Sequence, residues 1–276
     1  MVRAVLLSTL VICVSGSCAS EPEPAAAPPP PATTERAPDV DGFAAPIEEA
    51  HGRDAWLAHP ALAAHVEVDF GSDTILVGEM TFTTSMGRAR IDVTDGPSVI
   101  WDGRTAWLAP DDAELPMARF HVLTWPYFAL APLKLRDPGT RLELLGTRET
   151  LGRSFETARL TFAEGVGDTP DDWYVLYKDP DTSRLHAMAY IVTFGTTAVE
   201  AEKEPHAIVY EEHAQLDGAL VPTRMRFYMW TDDDGIHGDA IGELRLQNPR
   251  FVDPDPGTFE APDSAREVAL PSPGAE

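Results

Sequence analysis

The spacing of apolar and polar positions changes along the chain. Residues 46–62 read Pro-Ile-Glu-Glu-Ala-His-Gly-Arg-Asp-Ala-Trp-Leu-Ala-His-Pro-Ala-Leu. Proline at the first position and glutamates in the first turn open a helix. Ile47, Ala50 and Trp56 would share its buried face, and Gly52 and Pro60 limit its length. The period then drops to two. Residues 65–70 alternate strictly, and 74–84 carry Ile75, Val77, Met80 and Phe82. Residues 88–93 set Ala89, Ile91 and Val93 opposite Arg88 and Arg90. Alternation of this kind marks half-buried strands. Gly71-Ser-Asp, Met86-Gly87 and Asp95-Gly-Pro supply the turns between them.

The stretch Ser98-Val-Ile-Trp-Asp-Gly-Arg-Thr-Ala-Trp-Leu-Ala-Pro110 places Asp-Gly between two apolar runs. That pair predicts a two-residue type I′ hairpin, because Asp followed by Gly tolerates positive φ at both central positions. Trp101 would pair with Arg104, Ile100 with Thr105 and Val99 with Ala106. Trp101, Val99, Ala106 and Leu108 would then share one face, and Ile100 and Trp107 the other. Apolar bulk on both faces predicts a hairpin covered on both sides. Residues 117–135 are apolar and aromatic but interrupted by Pro126 and Pro132. They predict one or two short helices, folded as a cap over a sheet.

Further strands are predicted at 141–145, 156–162, 173–177, 185–194, 207–213, 223–230 and 240–246. In 185–194, His186, Met188, Tyr190, Val192 and Phe194 share a face. In 223–230, Met225, Phe227 and Met229 share one. Many short strands with regular turns indicate an antiparallel sheet or barrel.

The N-terminus has a different character. Met-Val-Arg precedes an apolar run over residues 4–14, then Ser15-Gly16-Ser17-Cys18. The run is shorter than the roughly 20 residues a membrane-spanning helix needs, and it suits a secretory signal. Small residues before a cysteine resemble the bacterial lipobox, after which Cys18 would be lipidated. Ordinary signal cleavage near Ala19 or Ser20 is the alternative. The sequence holds two cysteines, Cys13 and Cys18. A chain cut before Cys18 keeps one, which excludes a disulfide and a Cys-ligated metal in the folded part. The Pro- and Ala-rich segment that follows cannot bury a core and reads as a semi-rigid tether. The expected organisation is a signal over 1–17, lipidated Cys18 and linker over 18–45, one ligand-binding domain over 46–264, and a disordered tail over 265–276. The formal charge of −24 repels nucleic acid and anionic headgroups.

Candidate chemistry is sparse. None of the eight histidines forms a helical zinc pair. His206 and His213 are expected as solvated or hydrogen-bonded surface residues and not as ligands. Asp232-Asp-Asp-Gly lacks the alternate acidic positions of a calcium loop and reads as an acidic turn. The adjacent pairs Glu48-Glu49 and Glu211-Glu212 diverge on any regular element and read as solvated faces. Neither a Gly-x-Ser-x-Gly elbow nor a Gly-x-x-x-x-Gly-Lys loop occurs. No catalytic residue, cofactor or metal is therefore expected.

The order of features resembles the LolA/LolB-like superfamily of bacterial periplasmic lipoprotein-binding proteins. The features are Ala50-His51-Gly52 with Trp56, Gly87-Arg-Ala-Arg-Ile91, the hairpin at 99–108, the insert at 120–135, Tyr177-Lys-Asp-Pro-Asp-Thr, and Phe259-Glu-Ala-Pro. They cover most of residues 46–263, and the likeness is to LolA-like lipoproteins more than to LolA itself. The resemblance implies a mainly β (α+β) fold, an incomplete and strongly curved antiparallel β-barrel with short helices over its open side. It implies a cavity for acyl chains, lipoproteins or another apolar ligand. Met80, Phe82, Trp101, Phe120, Trp125, Phe128, Met225, Phe227 and Met229 are the candidate lining, with a filled core as the alternative for each. The implied setting is the periplasmic face of the outer membrane, reached through a palmitate-bearing anchor. Two other readings stay open: a stress-sensing or protein-interaction module on the same fold, and an enzyme acting on a lipid or glycan.

Overall fold

A computed structural model of the chain describes residues 38–271. Cys18 and the predicted signal lie outside the described residues. Helix α1 (Pro38–Ala50) begins well before Pro46, which sits inside it. Gly52 ends that helix in the left-handed region, at φ 72°, and helix α2 (Arg53–Leu57) follows. A Cβ at Gly52 would lie 2.3 Å from the Gly218 carbonyl oxygen, so only glycine lets these two backbones meet. Trp56 is buried completely, and its Nε1–H donates to the Leu220 carbonyl.

Five strands come next: β1 (Ala61–Phe70), β2 (Asp73–Thr83), β3 (Ala89–Val93), β4 (Ser98–Trp101) and β5 (Ala106–Ala109). Helix α3 (Ala118–Leu130) and a short 3-10 turn follow. The chain then runs through β6 (Thr140–Thr150), β7 (Arg153–Phe162), β8 (Tyr174–Lys178), β9 (Leu185–Tyr190), helix α4 (Ala198–Ala201), β10 (His206–Leu216), β11 (Ala219–Thr231) and β12 (Gly235–Val252). The two-residue strand β13 (Arg266–Glu267) comes last. All pairings are antiparallel in one sheet, ordered β13-β5-β4-β3-β2-β1-β12-β11-β10-β9-β8-β7-β6. The chain starts mid-sheet, walks out to β5, crosses to the far edge at β6, and walks back to meet β1. Helix α3 is part of that one long crossover. The sheet curves without closing, an open half-barrel with α1, α2 and α3 on the inner face, while α4 packs its alanines against the outer core.

Strand alternation builds two cores. On β8 to β10, Leu176, Met188, Tyr190, Ile208 and Tyr210 face inward with Trp56, Trp125, Met80 and Phe227. Their neighbours Val175, Tyr177, Ala187, Ala189 and Val209 form a smaller outer core with Trp230 and Ile236. The pairing of β11 with β12 slips between Phe227 and Met229. Thr150 Oγ1 accepts from the Ile236 N–H at 2.9 Å, so the tip of the β11–β12 hairpin is held against β6.

Several expectations need correction. In the β4–β5 hairpin Trp101 pairs with Ala106, Ile100 with Trp107 and Val99 with Leu108. The register differs by two residues from the predicted one, and residues 102–105 form the loop. Only Gly103 there has positive φ, whereas a type I′ turn needs it at both centres. The Asp102 carboxylate closes the loop instead. Its Oδ1 accepts from the Arg104 and Thr105 N–H groups, both at 2.8 Å. Its Oδ2 accepts from Trp107 Nε1–H at 2.8 Å. A shift of two preserves the faces: Val99, Ala106 and Leu108 enter the inner core, with Trp101 packed against it.

Residues 117–135 form one main helix that runs through Pro126. Burial of nearly its whole length outweighs the hydrogen bond that proline omits. His186 leaves its expected face and stacks on Phe155 of the outer core, at 4.7 Å between ring centroids. The cause is an irregularity in the β8–β9 pairing, where Tyr177 meets Ala187 but Lys178 meets Leu185. Within the expected tail, Arg266 and Glu267 pair with Leu108 and Trp107 at the sheet edge.

Candidate functional site

Helix α3 packs over β3, β4 and β5 and leaves space on both of its flanks. One cavity, of about 740 Å³, is walled by Phe70, Trp125 and Phe128 and reaches Glu200, Lys203 and His206 at its rim. Ile75 and Met117, 39% and 52% exposed, stand at its mouth. The second cavity, of about 360 Å³, is walled by Trp101, Leu123, Tyr127, Phe162 and Phe194. Its polar side carries Lys134, Asp137, Asp168 and Asp172. Phe120, Phe128, Tyr190 and Val192 line both cavities and form the partition between them. Both volumes fall in the range of small-ligand sites.

The nine lining candidates separate into three groups. Trp101, Phe120, Trp125 and Phe128 line one or both cavities. Met80, Phe82, Met225 and Phe227 are fully buried in the inner core. Phe227 stacks on Phe70 at 4.9 Å and lies 6.2 Å from Trp125, so it supports the cavity wall from behind. Met229 stands apart, half-buried and outside both cores, because the slip after Phe227 breaks the alternation it was read from. Tyr190, Val192 and Phe194 are lining residues absent from the candidate set, although their shared face was visible in the sequence.

The polar groups around α3 are mostly spoken for. Trp125 Nε1–H donates to His121 Nδ1 at 3.0 Å. That bond places the imidazole proton on Nε2, and burial lowers this histidine to about 4. Arg119 grips Asp168 through two bonds of 2.6 and 2.9 Å, donates to the Val268 carbonyl at 3.1 Å, and lies over the Trp101 ring. Lys134 pairs with Asp137 and donates to the Ser85 carbonyl. Asp172 Oδ1 accepts from the Thr193 N–H and hydroxyl, both at 2.7 Å, and Oδ2 accepts from Thr169. Burial still raises its carboxyl above the usual range. Burial likewise pushes the Tyr127, Tyr174, Tyr190 and Tyr210 hydroxyls upward, so all four stay neutral. Tyr210 donates to the Phe128 carbonyl at 2.8 Å, tying α3 to β10.

Away from the cavities, two expected surface features are drawn inward, Glu48 buried and His213 half-buried. Glu48 is 2% exposed and receives Arg136 at 2.6 Å and Arg53 at 3.4 Å. His213 lies beside buried His51, with ring centroids 5.7 Å apart, and His51 Nε2 accepts from the Leu185 N–H at 3.1 Å. His206 lies at the rim of the larger cavity. Among the described residues no group of three His, Cys, Asp or Glu side chains is placed to hold a metal ion.

No known family profile matches the sequence, and no curated protein matches it. Solved structures do match in fold. A LolA superfamily protein from Nitrosomonas europaea superposes with a TM-score of 0.53 at 13% identity, over 79% of this chain and 98% of the other. A domain from Vibrio parahaemolyticus, named for outer membrane lipoprotein sorting, gives 0.51 at 13% identity, over 80% of this chain and 97% of the other. The half-barrel with its inner helices is a LolA-like fold.

Proposed function

We propose that this chain is a bacterial envelope protein that holds an apolar ligand, the acyl chain of a lipid or lipoprotein, in the space flanking α3. One observation carries the reading: two aromatic-walled cavities meet at a shared partition on the inner face of a half-barrel. Each buried methylene would contribute about 0.8 kcal/mol there. The likeness to proteins named for LolA and for lipoprotein sorting supports it, as does the predicted lipidated leader. The reading assigns binding and no chemistry, so the protein acts as a carrier or holder. The chain is anchored through Cys18, and Cys18→Ala moves it from the membrane to the soluble envelope fraction. An unchanged distribution would reject the anchor. Native mass spectrometry after gentle purification finds a co-purifying lipid. Protein that never carries lipid and never takes up an uncharged dye would reject the binding role.

A further inference from the structure

An acyl chain brings a head group with it, and the ionisable residues of the lining decide which head is tolerated. Three cations stand at the two cavities. Lys134 is paired with Asp137 and the Ser85 carbonyl. Arg119 spends its guanidinium on both oxygens of Asp168 and on the Val268 carbonyl. Lys203 is paired with Glu200 at 2.5 Å. Each of these three thus already faces a carboxylate. The two lining histidines add no charge near neutral pH, because burial holds His121 at about 4 and lowers His206 as well. Carboxylates remain in excess: Asp172 on the smaller cavity and Glu204 on the larger have no cation of the lining left for them. The surrounding chain, at −24, adds a field of the same sign. A carboxylate or phosphate drawn into this space would lose hydration and gain no counter-charge, which is costly.

We propose that the cavities select acyl ligands whose heads carry no negative charge, esterified or amidated chains, and reject free fatty carboxylates. The inference rests on the acyl-binding reading above and narrows it to a ligand class. The partition and the apolar walls accept any chain, and the occupied cations discriminate by head.

The test is displacement of an uncharged naphthylamine dye from the purified protein. The competitors are myristate, methyl myristate and tetradecanol, in mildly alkaline buffer below their aggregation thresholds. The ester and the alcohol should displace the dye at concentrations about tenfold lower than myristate. Glu200→Gln frees Lys203 at an exposed position that does not threaten folding, and should strengthen myristate by about twofold to fivefold. Asp168→Asn frees Arg119 beside Trp101 and should strengthen it by about tenfold, with the ester unchanged. Myristate competing as well as its ester, or no response in either variant, would overturn the selectivity and leave acyl binding intact. Failure of the dye and of all three competitors to bind would overturn both.

Discussion

Asp102 shows how a single side chain can decide local geometry. It takes three hydrogen bonds, from the Arg104 and Thr105 backbone and from Trp107. Some desolvation works against its charge, but the Trp107 and backbone bonds outweigh it and hold the carboxyl below its usual value. Asp102→Ala removes all three bonds and should destabilise the fold by about 1–3 kcal/mol, read as a lower midpoint in urea. Asp102→Asn keeps an acceptor oxygen and should lose less. An alanine variant with an unshifted midpoint would show that the loop closes without this carboxylate. The turn and the two faces of this hairpin were legible in the sequence, since alternation and Asp-Gly are local signals. The register was not, because nothing in the spacing tells a side-chain closure from a backbone one. The same limit hid the role of His186, which is the extra residue where its own strand slips against β8.

At the scale of elements, glycine governs how the helices meet the sheet. Gly52 turns α1 into α2 with the Gly218 carbonyl pressed against it. Gly52→Ala adds a methyl where no space exists and asks alanine for positive φ. It should cost at least about 1–3 kcal/mol in thermal or urea unfolding. A neutral outcome would mean that the β10–β11 turn gives way freely. Helix α3 was legible as a short greasy helix capping the sheet, and its central proline sits inside it without ending it. Which residues line space and which fill core could not be read from the sequence. Met80, Phe82 and Met225 look as suitable for a cavity as Trp101 and Phe120 do. The difference lies in where α3 crosses the sheet, a matter of long-range packing. Tyr190, Val192 and Phe194 could have been found, because they share the period-two face of one predicted strand.

The whole molecule joins its titratable groups to its stability. Burial holds His51 at about 3 and His121 and His213 at about 4; His213 and Arg184 further disfavour charge on His51, and Arg184 and His186 on His213. In the unfolded chain the same imidazoles titrate near 6.5. Below that pH the unfolded state binds more protons than the folded one, so stability falls as pH drops from about 6.5 towards 4. Protonating carboxylates relieves the −24 self-repulsion over part of the same range. The comparison with His51→Gln isolates the imidazole: the variant's melting temperature should decline less steeply over that interval. Equal slopes would show that His51 is not held neutral. The path of the chain through the sheet has a different consequence, one of timing. β1 meets β12 in the middle of the sheet, so Ala61 waits for Val252. Pairing so distant in sequence is slow to form and cannot begin on half a chain. In a polypeptide delivered from its N-terminus, the central pairing stays open until Val252 has emerged, and the half-barrel cannot set before then.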